Sequence, residues 1–172
     1  MGVLHASPSH EILSGESADV YFARAELVLE REGLDPVVAM EVFGRQAGIL
    51  CGIDEAKNLL AHVLGDEPAG SVTVEALDDG DEFAAKEIVL RIDARYRQFG
   101  LYETAILGML AQSTGWATAA RECVDAAAPA PVISFGARHV HPDVTDVLDY
   151  AAIVGGCVGV SIPAGARLAG LA

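Results

Sequence analysis

The sequence predicts an α/β fold: an α+β first part with a small β-sheet, then a βαβ unit whose sheet is incomplete. Three observations carry this. Helical apolar spacing recurs in separated segments. Period-two alternation is confined to residues 70–96. Two short apolar runs, 130–136 and 157–162, flank a helix near the end. Strand, helix and strand within about thirty residues mark a parallel βαβ unit. On this reading the chain divides into 1–129 and 130–172.

"ESADVYFARAELVLEREG", 16–33, predicts the first long helix. Ser17 or Asp19 caps it, Val20, Ala23, Leu27 and Glu30 follow at helical spacing, and Gly33 stops it. "PVVAMEVF", 36–43, is short and β-branched, and reads as a strand. "GIDEAKNLLAHVLG", 52–65, is a second helix with Ile53, Leu59, Leu60 and Val63 on its apolar side. Between 70 and 96, Val72, Val74 and Ala76 alternate, as do Ile88, Leu90 and Ile92. An Asp-Asp-Gly-Asp turn separates them, so a small antiparallel sheet with its acidic turn in solvent is expected.

Residues 99–128 predict two largely buried helices, about 101–113 and 115–128, broken at Gly115. "APVISFG", 130–136, is an uninterrupted apolar run of the kind found in buried parallel strands. A helix from Pro142 or Asp143 to Gly155-Gly156 follows, then "CVGVSI", 157–162, as a second buried strand, and "PAGARLAGLA" opens another helix. Two parallel strands neither bury both faces nor close a barrel, so this half of the fold calls for more strands.

Lys and Arg number 11 against 25 Asp and Glu, a net charge of −14. That field repels nucleic acid and anionic membranes, so any anion site rests on local arginines and backbone N–H groups. Cys51, Cys123 and Cys157 have no paired spacing, which fits reduced thiols in a cytoplasmic protein. The N-terminus shows no basic region followed by an apolar run. Uncharged residues 150–166 are interrupted by glycines and a proline, and read as core rather than as a membrane span.

"SFGARHVHPD", 134–143, holds the chemistry. The exit of a buried parallel strand is where α/β folds place ligands. Arg138 there offers a planar donor fork for phosphate or carboxylate, and Phe135 offers an aromatic face. Phe-x-x-Arg thus reads as a grip for a flat anionic ring or a phosphorylated sugar. The alternative is a core phenylalanine and an arginine paired with a neighbouring acid.

His139 and His141 share a face if the extended chain continues, but His5, His10 and His62 lack the spacing to add a third ligand. No metal site is therefore assigned. The remaining choices are acid–base chemistry, a polar strand end for His139, and local hydrogen bonding at a helix start for His141. Asp143, Asp146 and Asp149 recur every third residue, where acids near a helix start favour the dipole. Arg91, Arg95 and Arg97 fall on one strand face, by default a solvated edge, and Tyr102-Glu103-Thr104 reads as a helix cap or a contact.

"SADVYFARA", "RYRQFGLYETAILGMLAQSTGWATAA" and "SFGARHVHPDVTDVLDYAAIVGGCVGVS", in this order, resemble nicotinate phosphoribosyltransferase in its shorter bacterial and archaeal form. The resemblance runs from about Asp19 onward. It implies an N-terminal domain packed on an α/β barrel, here incomplete, with active sites between the subunits of a homodimer. It also implies joining of nicotinate to phosphoribosyl pyrophosphate (PRPP) in NAD salvage, with Mg2+ accompanying PRPP and ATP as co-substrate.

Residue by residue, Tyr21 matches a tyrosine that reaches the neighbouring site and stacks on the pyridine. Phe135 matches the aromatic on the ring's other face, and Arg138 the arginine near nicotinate and the phosphates. His139 stands where many relatives have a second arginine, and Val158 where they often have an acid. The alternatives are a non-catalytic fragment or assembly module, and a quinolinate phosphoribosyltransferase-like enzyme. The latter carries a comparable S-G-x-A-T helix and needs a further basic site for its second carboxylate.

Overall fold

The computed structural model describes residues 7–65, 71–168 and 170. In chain order the elements are α1 (His10–Leu13), α2 (Val20–Glu32), β1 (Val37–Phe43), β2 (Gly48–Ile49), α3 (Ile53–Leu64), β3 (Thr73–Ala76) and β4 (Glu82–Phe83). Then come β5 (Ile88–Arg95), α4 (Tyr96–Phe99), α5 (Glu103–Ala127), β6 (Ile133–Ser134), α6 (Thr145–Val154), β7 (Gly159–Val160) and α7 (Pro163–Leu168). Helices and small sheets are mixed, as the expected α/β class with an α+β first part requires. Among the described residues no helix is long and apolar enough to cross a membrane.

The main sheet is antiparallel in the order β1-β5-β3. Alternation on the central strand turns Leu90, Ile92 and Ala94 into the core, opposite Val42, Met40 and Val38 of β1. The period-two pattern thus found the β3–β5 pairing, while β1 joins from a distant segment that the pattern could not register. On the opposite face Arg91 of the central strand pairs with Glu41 and with Asp93, so it is neutralised and not an anion site. Arg97 lies on α4, off the strand face expected for it.

α3 packs on this sheet through Ile53, Ala56, Leu59, Leu60 and Leu64, a stripe at helical period. Gly33 ends α2 in the left-handed conformation at φ 64°, as expected. The apolar side expected of α2 does not meet the core, because Phe22 is its buried residue while Val20, Leu27 and Val28 stay exposed. Thr104 ties the starts of α2 and α5 together: its hydroxyl accepts the Asp19 N–H at 3.0 Å. The Tyr-Glu-Thr sequence is therefore a structural contact.

α5 runs unbroken for 25 residues, so the break expected at Gly115 does not occur. A helical glycine costs only about 1 kcal/mol relative to alanine, and tertiary contacts offset that here. Thr114 Oγ1 accepts the Cys51 N–H and donates to the Cys51 carbonyl, both at 3.1 Å, and Thr118 Oγ1 accepts the Ile49 N–H at 2.9 Å. Two hydroxyls one helical turn apart thus satisfy a strand edge as a neighbouring strand would. The burial expected along the whole region is confined to a stripe, Ile106, Leu110, Ser113 and Ala117.

The acidic turn is not wholly in solvent. Asp79 Oδ1 accepts the Ile53 N–H at 2.9 Å, capping α3 from another segment, and Oδ2 accepts the Tyr150 hydroxyl at 2.9 Å. Nor are the last strands buried as expected. β6 and β7 pair in parallel over two residues each, and Ile133, Phe135 and Val158 remain exposed. A lone pair of parallel strands has nothing to cover its outer face.

Thr114→Val keeps the shape and leaves both Cys51 backbone groups unpaired, so it should cost about 1–3 kcal/mol in urea denaturation. An unchanged midpoint would show that the hydroxyl is not a backbone partner.

Burial is the largest influence on Asp79 and raises its pKa above the ordinary 3.8, opposed by its two donors. A folded value above the unfolded one means that the protonated form favours folding. This contribution is full below pH 3.8 and is lost as pH rises through the folded value. Wild type should therefore lose stability relative to Asp79→Asn over that rise; a constant difference would contradict this.

Candidate functional site

The site forms where β6 and β7 end side by side. Their register, Ser134 opposite Val160, carries residues 135–138 and 161–162 out of the sheet together. At Phe135 the backbone leaves the extended region, φ −117° and ψ 28°, and residues 136–139 form a 3-10 turn. Gly136 lets that turn sit on α6, since a Cβ there would meet Leu148 Cδ2 at 2.4 Å. Between the two strand exits lies a cavity of about 360 Å³, lined by Phe135, Ala137, Arg138, Pro142 and Thr145 on one side and Ser161 and Ile162 on the other.

Arg138 folds back over Phe135, its guanidinium carbon 5.8 Å from the ring centroid, within cation–π range. Phe135 is 57% exposed and Arg138 is exposed, so the alternative of a core phenylalanine does not hold. Among the described residues Arg138 makes no ion pair, in a chain of net charge −14. A guanidinium left free among so many carboxylates is the site's principal electrostatic feature. The Thr145 hydroxyl already donates to the Pro142 carbonyl at 2.9 Å. Arg138 and Ser161 are thus the side-chain donors left to a ligand.

The 3-10 turn removes the extended face on which His139 and His141 were expected to lie together. His141 instead caps the next turn, its Nδ1 accepting the Asp143 N–H at 3.3 Å. His139 is exposed at the end of the Arg138 turn. Among the described residues no three His, Cys, Asp or Glu side chains gather as a metal site. The cavity is lined by donors and apolar groups without a carboxylate, so its residues do not fit a protein-held magnesium ion.

The three aspartates part company. Asp143 is exposed beside His141, while Asp146 Oδ1 accepts the Val147 N–H at 2.9 Å in the first turn of α6. Asp149 is fully buried, which the expectation of a helix-start acid did not anticipate. Tyr21 is brought to a different place altogether. It is 56% exposed on α2 and lines a shallow groove with Arg24, Val28, Pro36 and Tyr96, apart from Phe135 and Arg138. Ser161 and Thr145 escaped the sequence reading. The strand-exit rule that selected Arg138 also points to Ser161 when applied to residues 157–162.

Residues 19–114 match the family model described as quinolinate phosphoribosyl transferase, N-terminal domain. Among solved structures, the nicotinate-nucleotide pyrophosphorylase from Pyrococcus furiosus superposes with a TM-score of 0.84 at 38% identity. That match covers 98% of this chain and 43% of the other. The nicotinate-nucleotide pyrophosphorylase from Ehrlichia chaffeensis gives 0.67 at 19% identity, over 89% of this chain and 54% of that one. Human nicotinic acid phosphoribosyltransferase gives 0.74 at 22% identity, over 87% and 37%. At those lower identities the likeness is one of fold. The chain spans about half the length of these proteins or less.

These matches correct the resemblance to nicotinate phosphoribosyltransferase and favour the quinolinate-type alternative. The physical reason is visible in α5. Thr114 and Thr118 of "STGWAT" are committed to holding the backbone at 49–51, and Thr104 to holding α2. These stretches describe a scaffold, not a choice of pyridine.

Arg138→Ala should weaken binding of inorganic pyrophosphate by about tenfold or more in calorimetric titration, as loss of a bidentate donor requires. Equal affinity in both proteins would remove Arg138 from the anion site.

Proposed function

We propose, for a chain that belongs to the quinolinate phosphoribosyltransferase N-terminal domain family, a part in a cytoplasmic phosphoribosyltransferase of NAD biosynthesis. Its substrates are quinolinate and PRPP. The pyridine nitrogen bonds to ribose C1 as the bond from C1 to pyrophosphate breaks, and pyrophosphate leaves with the electron pair. The C2 carboxylate then departs as CO2, its bonding pair staying on the ring carbon, which takes a proton. Nicotinate mononucleotide remains.

The observation that carries this reading is the unpaired Arg138 stacked on exposed Phe135 at a parallel-strand exit. Arg138 binds the anionic substrate and stabilises charge gathering on the departing pyrophosphate. Phe135 offers a face to the flat ring, Ser161 donates from the opposite wall, and His139 borders the turn. Displacement at C1 needs orientation and charge stabilisation rather than a protein nucleophile. Magnesium comes with PRPP on that substrate's own phosphates. ATP, expected only through the resemblance now corrected, has no part in the proposal.

The reading includes a homodimer in which Tyr21 reaches the neighbouring site. It is supported by the exposure of Tyr21 beside Val20 and Val28, in a groove separate from the Arg138 cavity. It also includes further strands beside β6 and β7, since Ile133 and Val158 are uncovered. The match covers 43% of the Pyrococcus furiosus protein, and the remaining segment of that protein is the proposed source of such strands.

The test supplies quinolinate, PRPP and magnesium to the chain, alone and with a separately expressed polypeptide equivalent to that remaining segment. Nicotinate mononucleotide is followed by mass spectrometry. Product in the complemented sample, lost with Arg138→Ala, is expected. No product from quinolinate in either sample would overturn the reading.

A further inference from the structure

Asp149 stands out among the buried groups with no part in the chemistry above. It is 0% exposed, and among the described residues neither carboxylate oxygen has a hydrogen-bond partner. Such orphans are rare in native proteins, and each calls for a reason. Burial is the main influence on it and raises its pKa, while the Ile162 amide lies near enough to favour the charged form without forming a well-shaped hydrogen bond. Replacing a buried unpaired carboxylate with an apolar group of similar size is commonly neutral or stabilising. The fold alone gives no cause to keep an acid here.

Its surroundings supply one. Asp149 lies one helical turn after Thr145, which lines the Arg138 cavity. On its other side it abuts Gly165, where a Cβ would fall 2.4 Å from Asp149 Cβ and 2.5 Å from Oδ2. Ser161 and Ile162, the wall facing Arg138, lead directly into α7, whose first turn holds Gly165. The preceding residue, Leu148, supports the opposite wall through Gly136. Adjacent residues of α6 therefore set the two sides of one cavity, one by apolar contact and the other by a carboxylate.

We propose that Asp149 is a positioning residue of this cavity, its carboxylate facing the backbone of the 161–165 turn and setting where Ser161 stands relative to Arg138. The inference rests on the reading that the cavity takes the pyrophosphate group of PRPP. A carboxylate behind the turn offers acceptors to its N–H groups as the front of the turn engages an anion. Gly165 permits the approach that this requires, since any side chain there would displace Asp149.

The test compares Asp149→Leu, Asp149→Asn and Gly165→Ala with wild type, using inorganic pyrophosphate as the probe. Asp149→Leu should melt at the wild-type temperature or above it, yet bind pyrophosphate about tenfold more weakly. Asp149→Asn, which keeps one acceptor oxygen, should recover part of that loss, and Gly165→Ala should reproduce it. Wild-type affinity in Asp149→Leu would overturn the proposal. If wild type itself does not bind pyrophosphate, the reading of the cavity fails, and amide hydrogen exchange decides the positioning role separately. Exchange across 161–166 should be about tenfold faster in Asp149→Leu with α5 unaffected, in proportion to a local loss of about 1.4 kcal/mol. Unchanged exchange there would overturn the role.

Discussion

The close approach of α5 to its neighbours on two sides is the constraint on which the rest of the structure depends. A Cβ at Gly52 would lie 2.7 Å from the Met109 carbonyl oxygen, and one at Gly155 2.4 Å from that of Ala117. Both glycines put backbone directly against backbone. On one side this brings the 48–53 segment within reach of Thr114 and Thr118; on the other it seats the end of α6 on Ala117 and Ala120. The larger core of α3, the main sheet and the first half of α5 packs along one stretch of the helix. A second, smaller core of Ile49, Cys51, Ala117, Tyr150 and Ala151 packs along the next.

Polar groups join these two cores. Asp79 accepts from the start of α3 and from Tyr150 of α6, and Arg121 of α5 donates to the Gly155 carbonyl at 3.0 Å. Partly buried, hydrogen-bonded groups of this kind specify one arrangement of helices where apolar packing tolerates several. α6 is thereby fixed against the first part of the chain before it supports anything else. Leu148 and Asp149 then carry both walls of the cavity, so the geometry around Arg138 descends from the packing of α5.

Local periodicity made the helical stripe of α3, the stop at Gly33 and the β3–β5 pairing legible in the sequence, because each is decided within a few neighbouring residues. The continuity of α5 was not, since Gly115 is a local weakness outweighed by hydroxyls that serve a distant strand. Asp79 and Asp149 misled for the same reason. An acid in a turn or near a helix start is normally solvated, and only the packing of remote segments shows that Asp79 is partly buried and Asp149 fully so. The position of Phe135 and Arg138 at a parallel-strand exit was legible, while the 3-10 turn that separates His139 from His141 was not. The choice of family was the hardest to read, because the quoted stretches encode helix packing shared by enzymes acting on different pyridines.

Two-dimensional NMR of the isotopically labelled chain during titration with PRPP tests the central claim most directly, since it locates the ligand without requiring turnover. The account predicts amide shifts concentrated in residues 134–146 and 158–166, around Arg138 and Ser161. Shifts centred instead on the Tyr21 groove, or absent from both strand exits, would contradict it.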